Sequence, residues 1–175
     1  MSEEDYLYYS SSIQYLGTPG ITQPCMLAMA SILTSAFRPE KIIAVIGGWK
    51  EPGDTGSSER VLFVVWHWFY PNLTIIPDGF GTHSGEGGTG LSAVLGLIQL
   101  YNIPMLQTWI DDHRAFRELA EGQLSKATFE ALQRAQTYNW RFHPVSTVRK
   151  VKRGKHQVVT VYRDNGHLHF EIQLL

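Results

Sequence analysis

The chain reads as an α/β protein. It predicts a Rossmann-like, mostly parallel sheet with crossover helices over residues 41–139, and a C-terminal antiparallel β-meander over 145–175. Three observations carry that expectation. Short β-rich apolar runs alternate with amphipathic stretches between Lys41 and Asn139, the order that βαβ units leave in a sequence. A glycine-rich segment joins the apolar run NLTIIPD to the helical pattern LSAVLGLIQLYN, the place where open α/β sheets bind ligands. Beyond Pro144 the pattern changes to period two, with Asp164-Asn165-Gly166 as a hairpin turn.

Residues 1–20 hold tyrosines, serines and the turn signal GTPG, and predict an irregular arm. In TQPCMLAMASILTSAF, Thr22 or Gln23 caps a helix, Pro24 suits its first turn, and Met26, Met29, Ala30, Leu33 and Phe37 share a face. Pro39 ends it. KIIAVIGG has the form of a buried strand. KEPGDTGSSE is a polar loop in which Ser57 or Ser58 can cap a helix through ERVLFVVWHWFY, although that run is also rich in strand formers. NLTIIPD is a second strand. Leu91, Val94, Leu95 and Ile98 then fall at helical spacing, and IPMLQTWI is a third strand. Asp111 or Asp112 caps HRAFRELAEG, and Ser125 caps KATFEALQRAQTYN.

With 175 residues, 43% hydrophobic and 18% charged, the chain suits one domain with one well-buried core. No run approaches the ~18–20 apolar residues of a membrane span, so no membrane partner is expected. The N-terminus is acidic and polar and shows no signal-peptide pattern. A single cysteine, Cys25, excludes an intrachain disulfide and fits a reducing compartment, so a cytoplasmic location is expected. Cys25 lies on an apolar face beside Met26 and reads as a small buried hydrophobe. The run Trp66, His67, Trp68, Phe69, Tyr70 reads as core, with a base-stacking or partner surface as the other option.

The glycine-rich segment holds the first candidate site. Glycines let a phosphate approach the backbone, and the start of the following helix offers unpaired N–H groups and a favourable dipole. The expected ligand contacts are Asp78, Gly79, Gly81, Thr82, Ser84, Gly85, Gly87, Gly88, Thr89 and Gly90. Asp78 can receive a ribose hydroxyl or fix the turn. Glu86 is the residue with chemistry: a carboxylate can stabilise an oxocarbenium-like state and orient a water, or simply complement the helix dipole. His83 is its candidate proton carrier. No G-K-[ST] or G-x-G-x-x-G spacing occurs.

The stretch PDGFGTHSGE resembles the P-G-G-x-G-T-x-x-E signature of LOG-type phosphoribohydrolases, the lysine-decarboxylase-like proteins, and LIQLYNIPMLQTWIDD resembles their next helix-to-strand passage. The wider SLOG superfamily includes nucleotide-sensing members of bacterial defence systems. The resemblance spans residues 41–112 and implies a Rossmann-like fold that binds nucleotides, as a sensor or as an N-glycosidic hydrolase. Asp78 stands in place of the second glycine, Glu86 is one position late, and GGTG has no counterpart. Arg60 is the candidate arginine partner for the glutamate. The likeness therefore implies the fold and nucleotide binding more than the hydrolysis.

A rival site lies near the C-terminus. Arg141, Arg149, Lys150, Lys152, Arg153 and Lys155 fall within fifteen residues that contain no Asp or Glu. In HLHFEIQLL, His167, His169, Glu171 and Gln173 face opposite Leu168, Phe170, Ile172 and Leu174. With Lys155, His156 and Arg163 this face suits metal-independent RNA cleavage, histidines acting as acid and base beside cations. It equally suits the polar outer face of an edge strand. No third zinc ligand is identifiable, so no metal is expected, and no cofactor. The three functional expectations are a nucleotide-like small-molecule ligand at the glycine segment, RNA at the basic tail, or a non-enzymatic interaction subunit, with a homo-oligomer compatible with each.

Overall fold

The central sheet is mixed rather than mostly parallel. In the computed structural model the described residues are 3–49, 58–81 and 86–139, together with the strand backbone at 148–150, 157–164 and 167–174. Six strands, β1 (Ile13–Tyr15), β2 (Lys41–Trp49), β3 (Ser58–Trp66), β4 (Leu73–Gly81), β5 (Met105–Trp109) and β6 (Gln136–Thr137), lie in the order β1-β4-β3-β2-β5-β6. β1–β4 and β2–β5 are parallel, whereas β2–β3, β3–β4 and β5–β6 are antiparallel.

The expected crossover helix at 59–70 is therefore strand β3, which corrects the Rossmann-like order of elements. The reason is burial on both sides. Val61, Phe63 and Val65 enter one core cluster, while Leu62, Val64 and Trp66 enter the other. A β-branched and aromatic run that is apolar on both faces fits a central strand, and its two neighbours satisfy its backbone. β2 divides in the same way, Ile42, Ala44 and Ile46 against Ile43 and Val45.

Helices cover both faces. α2 (Thr22–Thr34) and α3 (Glu86–Leu100) pack on one through Cys25, Met29, Leu33, Leu91, Val94 and Ile98. α4 (His113–Ala120) and α5 (Lys126–Gln133) pack on the other through Phe116, Leu119, Phe129 and Leu132. The caps are those the sequence implies: Asp112 Oδ1 accepts from the Ala115 N–H at 2.8 Å, and Ser125 Oγ from the Thr128 N–H at 3.2 Å.

Residues 3–20 are more ordered than an irregular arm. α1 (Glu3–Ser10) and β1 form there because Tyr6 and Tyr9 find aromatic partners far away in sequence. The Tyr9 ring lies 4.7 Å from Trp66 and 5.3 Å from Phe129. Propensity within the segment carried no sign of that packing.

The C-terminal strands β7 (Val148–Lys150), β8 (Gln157–Asp164) and β9 (His167–Leu174) form a second sheet. β8 and β9 are the expected antiparallel hairpin, with Asp164 opposite His167. β7, however, pairs in parallel with β9, giving the order β7-β9-β8 in place of a meander. A tight turn encodes its own hairpin, whereas nothing local chooses the edge on which a third strand adds.

Candidate functional site

The β3–β4 ladder is interrupted next to the glycine-rich segment. Val61 pairs with Phe80 and Phe63 with Ile76, so Pro77, Asp78 and Gly79 stand opposite Leu62 alone. A bulge of this kind re-aims side chains, and bulges are frequent beside functional sites. Here it presents Asp78 to a cavity of about 220 Å³ that Arg60, His113, Arg117 and Glu121 also line. Asp78 is nearly covered, its side chain 11% exposed, and Oδ2 accepts from Arg60 Nη1 at 3.1 Å.

α4 supplies the opposite wall. Arg117 Nη2 lies 3.4 Å from His113 Nε2, one turn earlier on the helix. Two guanidiniums, Arg60 and Arg117, face two carboxylates, Asp78 and Glu121, in this lining, and His113 adds an imidazole. Tyr15 borders the same region and donates its hydroxyl to the Ala120 carbonyl at 2.6 Å. Its phenol is pushed up to about 12, first by burial and then by the neighbouring Cys25, Asp78 and Glu121.

The glycines have a different explanation from the one expected of them. A β-carbon on Gly79 would lie 2.6 Å from the Ile21 carbonyl oxygen and 2.7 Å from Cys25 Sγ. One on Gly90 would run into Thr22 Cγ2. One on Gly87 would lie 3.1 Å from the Gly81 nitrogen. At these positions the chain itself fills the space beside the backbone, because α2, β4 and α3 approach closely. Gly81 is less confined, its nearest such atom being the Glu59 oxygen at 3.6 Å.

Glu86 is the exposed first residue of α3, and Gly88 and Thr89 follow within its first turn. Ser92 Oγ donates to the Gly88 carbonyl at 3.1 Å. Thr82, His83, Ser84 and Gly85 lie outside the described residues, as do Lys155 and His156. Arg163, His167, His169 and Glu171 are placed as strand positions on β8 and β9, with Tyr162 opposite His169 and Thr160 opposite Glu171. Among the described residues no group of three or more His, Cys, Asp or Glu is placed to hold a metal. No described helix is long and apolar enough to cross a membrane.

Sequence reasoning missed two features. The first is the contribution of His113, Arg117 and Glu121, which read only as helix surface because their meeting with Asp78 spans 35 residues or more of chain. The second is the aromatic turn between β3 and β4. Trp66 is core as expected, but Trp68, Phe69 and Tyr70 are 67%, 74% and 84% exposed, and Phe37 nearby is 76% exposed. The His67 N–H donates to the Asn72 carbonyl at 3.0 Å and closes the turn, while His67 Nε2 and Thr74 Oγ1 lie 2.9 Å apart. The aromatics border a cavity of about 400 Å³ floored by Leu16 and Ile32. The doublet Trp68-Phe69 ahead of Tyr-Pro-Asn was the available signal, since that tripeptide is a turn sequence.

No family model matches the chain, and no curated protein does. Among solved structures the fold is similar to a chain of respiratory complex I from Thermus thermophilus. The TM-score is 0.55 at 15% identity, over 74% of this chain and 98% of that one. At that identity the likeness concerns the fold alone.

Proposed function

We propose that this chain is an interaction subunit that docks through the aromatic turn at residues 68–70. The observation that carries the reading is the exposure of Trp68, Phe69 and Tyr70 beside Phe37 on one rim. Contiguous exposed aromatics are costly to leave in water, and aromatic residues are enriched at protein interfaces. The chain of similar fold belongs to respiratory complex I, so a fold of this kind serves there within a complex. That likeness names no partner for this protein. The test is a photo-crosslinking phenylalanine analogue at position 69, introduced in cells. A discrete crosslinked product supports the reading, and no product at 69 or 70 sinks it.

A second reading rests on the charged cavity at the β4 bulge: binding of a small phosphate-bearing, nucleotide-like ligand. At about 220 Å³ the cavity is below the ~300–1,000 Å³ usual for drug-sized ligands, so it suits a sugar-phosphate portion rather than a whole dinucleotide. Arg117 and His113 would hold the phosphate, and Asp78 a hydroxyl. The SLOG-like motif is what raises sensing and hydrolysis as options; Glu86, the residue with chemistry in that motif, is not among the described residues that line this cavity. RNA at the C-terminal strands stays as the remaining alternative for the basic segment. Thermal unfolding with AMP, ADP-ribose, NAD, cyclic dinucleotides and short RNA separates these. Binding of one mononucleotide-like compound, lost in Arg117→Ala, supports the cavity; a response to RNA alone moves the site to the C-terminal strands. A hundredfold ligand excess over Kd adds about 2.7 kcal/mol of stability, enough to see.

A further inference from the structure

The occupant of the aromatic turn can be narrowed by area, charge and shape. That occupant exists only if the docking reading above holds. Four aromatic side chains, each able to bury ~150–250 Å² and each about three-quarters exposed here, offer about 600 Å² of apolar surface. That is at the upper end of the ~300–600 Å² of the largest patch on an ordinary monomer. Two such surfaces facing each other would bury about 1,200 Å², the lower bound of specific interfaces.

Charge does not oppose that pairing. Among the described residues that line the groove, Arg38 carries the one full charge, and its guanidinium already donates to the Asn102 carbonyl. Gln14, Ser31 and Ser35 supply neutral polar groups at the margin. Burial favours the neutral form of His67 at its edge. A partner selected by charge would meet little here to recognise, whereas a second identical surface brings few like charges together.

Shape supplies the remaining argument. The same patch contains both a projecting element, Trp68-Phe69-Tyr70, and a concave one of about 400 Å³ beside it. A surface with a knob and an adjacent hole is complementary to itself under two-fold rotation, so each copy can fill the hole of the other. We infer that a second copy of this chain occupies the aromatic turn, forming an isologous dimer in which the 68–70 segment of each protomer enters the groove of its partner.

Sedimentation velocity of the full chain over about 1–100 µM tests this, since interfaces of this size span micromolar affinities and tighter. The expected result is a species of twice the chain mass whose association is weakened at least ~100-fold in Phe69→Glu and in Tyr70→Glu. Both residues are exposed, so at concentrations where the parent is monomeric the circular dichroism and unfolding midpoint of the variants should match the parent. A parent that stays monomeric throughout overturns the inference, as does a dimer indifferent to both variants, or association that grows beyond two copies. The crosslink at position 69 keeps the two readings apart. A monomeric parent that still crosslinks to a different chain overturns the dimer and leaves the docking surface standing. Loss of every crosslink removes both.

Discussion

Thr22 donates its Oγ1 hydrogen to the carbonyl oxygen of Gly79 at 2.6 Å, which bonds the first turn of α2 directly to the bulge of β4. The methyl group of the same side chain rests against Gly90 on α3. One buried threonine thus fixes three elements, and it does so because positions 79 and 90 carry no side chain.

Gly90→Ala tests that arrangement by its sign. In an unhindered helix, alanine is favoured over glycine by about 1 kcal/mol. Here the added carbon meets Thr22 Cγ2, so a net loss of about 1–3 kcal/mol is expected in urea unfolding. Adding Thr22→Ser keeps the hydroxyl and removes the methyl, and should recover most of the loss. A neutral or stabilising Gly90→Ala would contradict the close approach.

Gly79 and Gly81 should separate sharply although they are two residues apart. At Gly79 the obstruction includes the Ile21 carbonyl oxygen, a backbone atom that cannot rotate away, and alanine should cost about 3 kcal/mol. At Gly81 the nearest atom is at ordinary contact distance, and alanine should change stability by under ~0.5 kcal/mol. Equal losses at both sites would mean that the glycines answer to something other than packing.

Stability should fall at both ends of the pH range. Burial pushes the His67 imidazole below its ordinary value of 6.5, so the unfolded chain takes up that proton first. Its contribution is complete above pH 6.5 and declines as pH drops through the lower folded value. The Tyr15 phenol is raised from 10.0 to about 12, and Tyr138 is raised also by burial. Their contribution is complete below pH 10 and is lost as pH rises toward 12 and beyond. Unfolding free energies across pH should show a shallower acid limb in His67→Gln and a shallower alkaline limb in Tyr15→Phe. Unchanged limbs would place the titration elsewhere.

The two faces of the β3 hairpin should respond oppositely to truncation. Phe63 is fully buried and stacks edge-on to Phe80 at 5.2 Å between centroids, so Phe63→Ala should cost about 3–5 kcal/mol. Phe69→Ser, at the exposed tip, should leave the denaturation midpoint of dilute protein within ~0.5 kcal/mol. A large loss at Phe69 would make the tip part of the core and remove the basis for docking.

Much of the local structure was legible in the residues themselves. Apolar spacing marks α2, which stops at Thr34 ahead of the expected end at Pro39; Asp112 and Ser125 start α4 and α5, KIIAVIGG is strand β2, and Asp164 pairs with His167 in the last hairpin. These depend on groups within a few positions of one another, which is the range over which capping, turn geometry and amphipathic spacing act. Tertiary structure decided the rest. Residues 61–66 are strand because both of their faces meet a helical layer, a condition no periodicity states. The glycines at 79 and 90 are set by the crossing of α2, β4 and α3, where the sequence offered only a flexible segment and its resemblance to a nucleotide loop. Arg60, Asp78, His113 and Arg117 share a cavity because a bulge and a helix start meet there. Trp68, Phe69 and Tyr70 are exposed because His67 closes on Asn72 and ends the strand at Trp66, turning an apolar run out of the core.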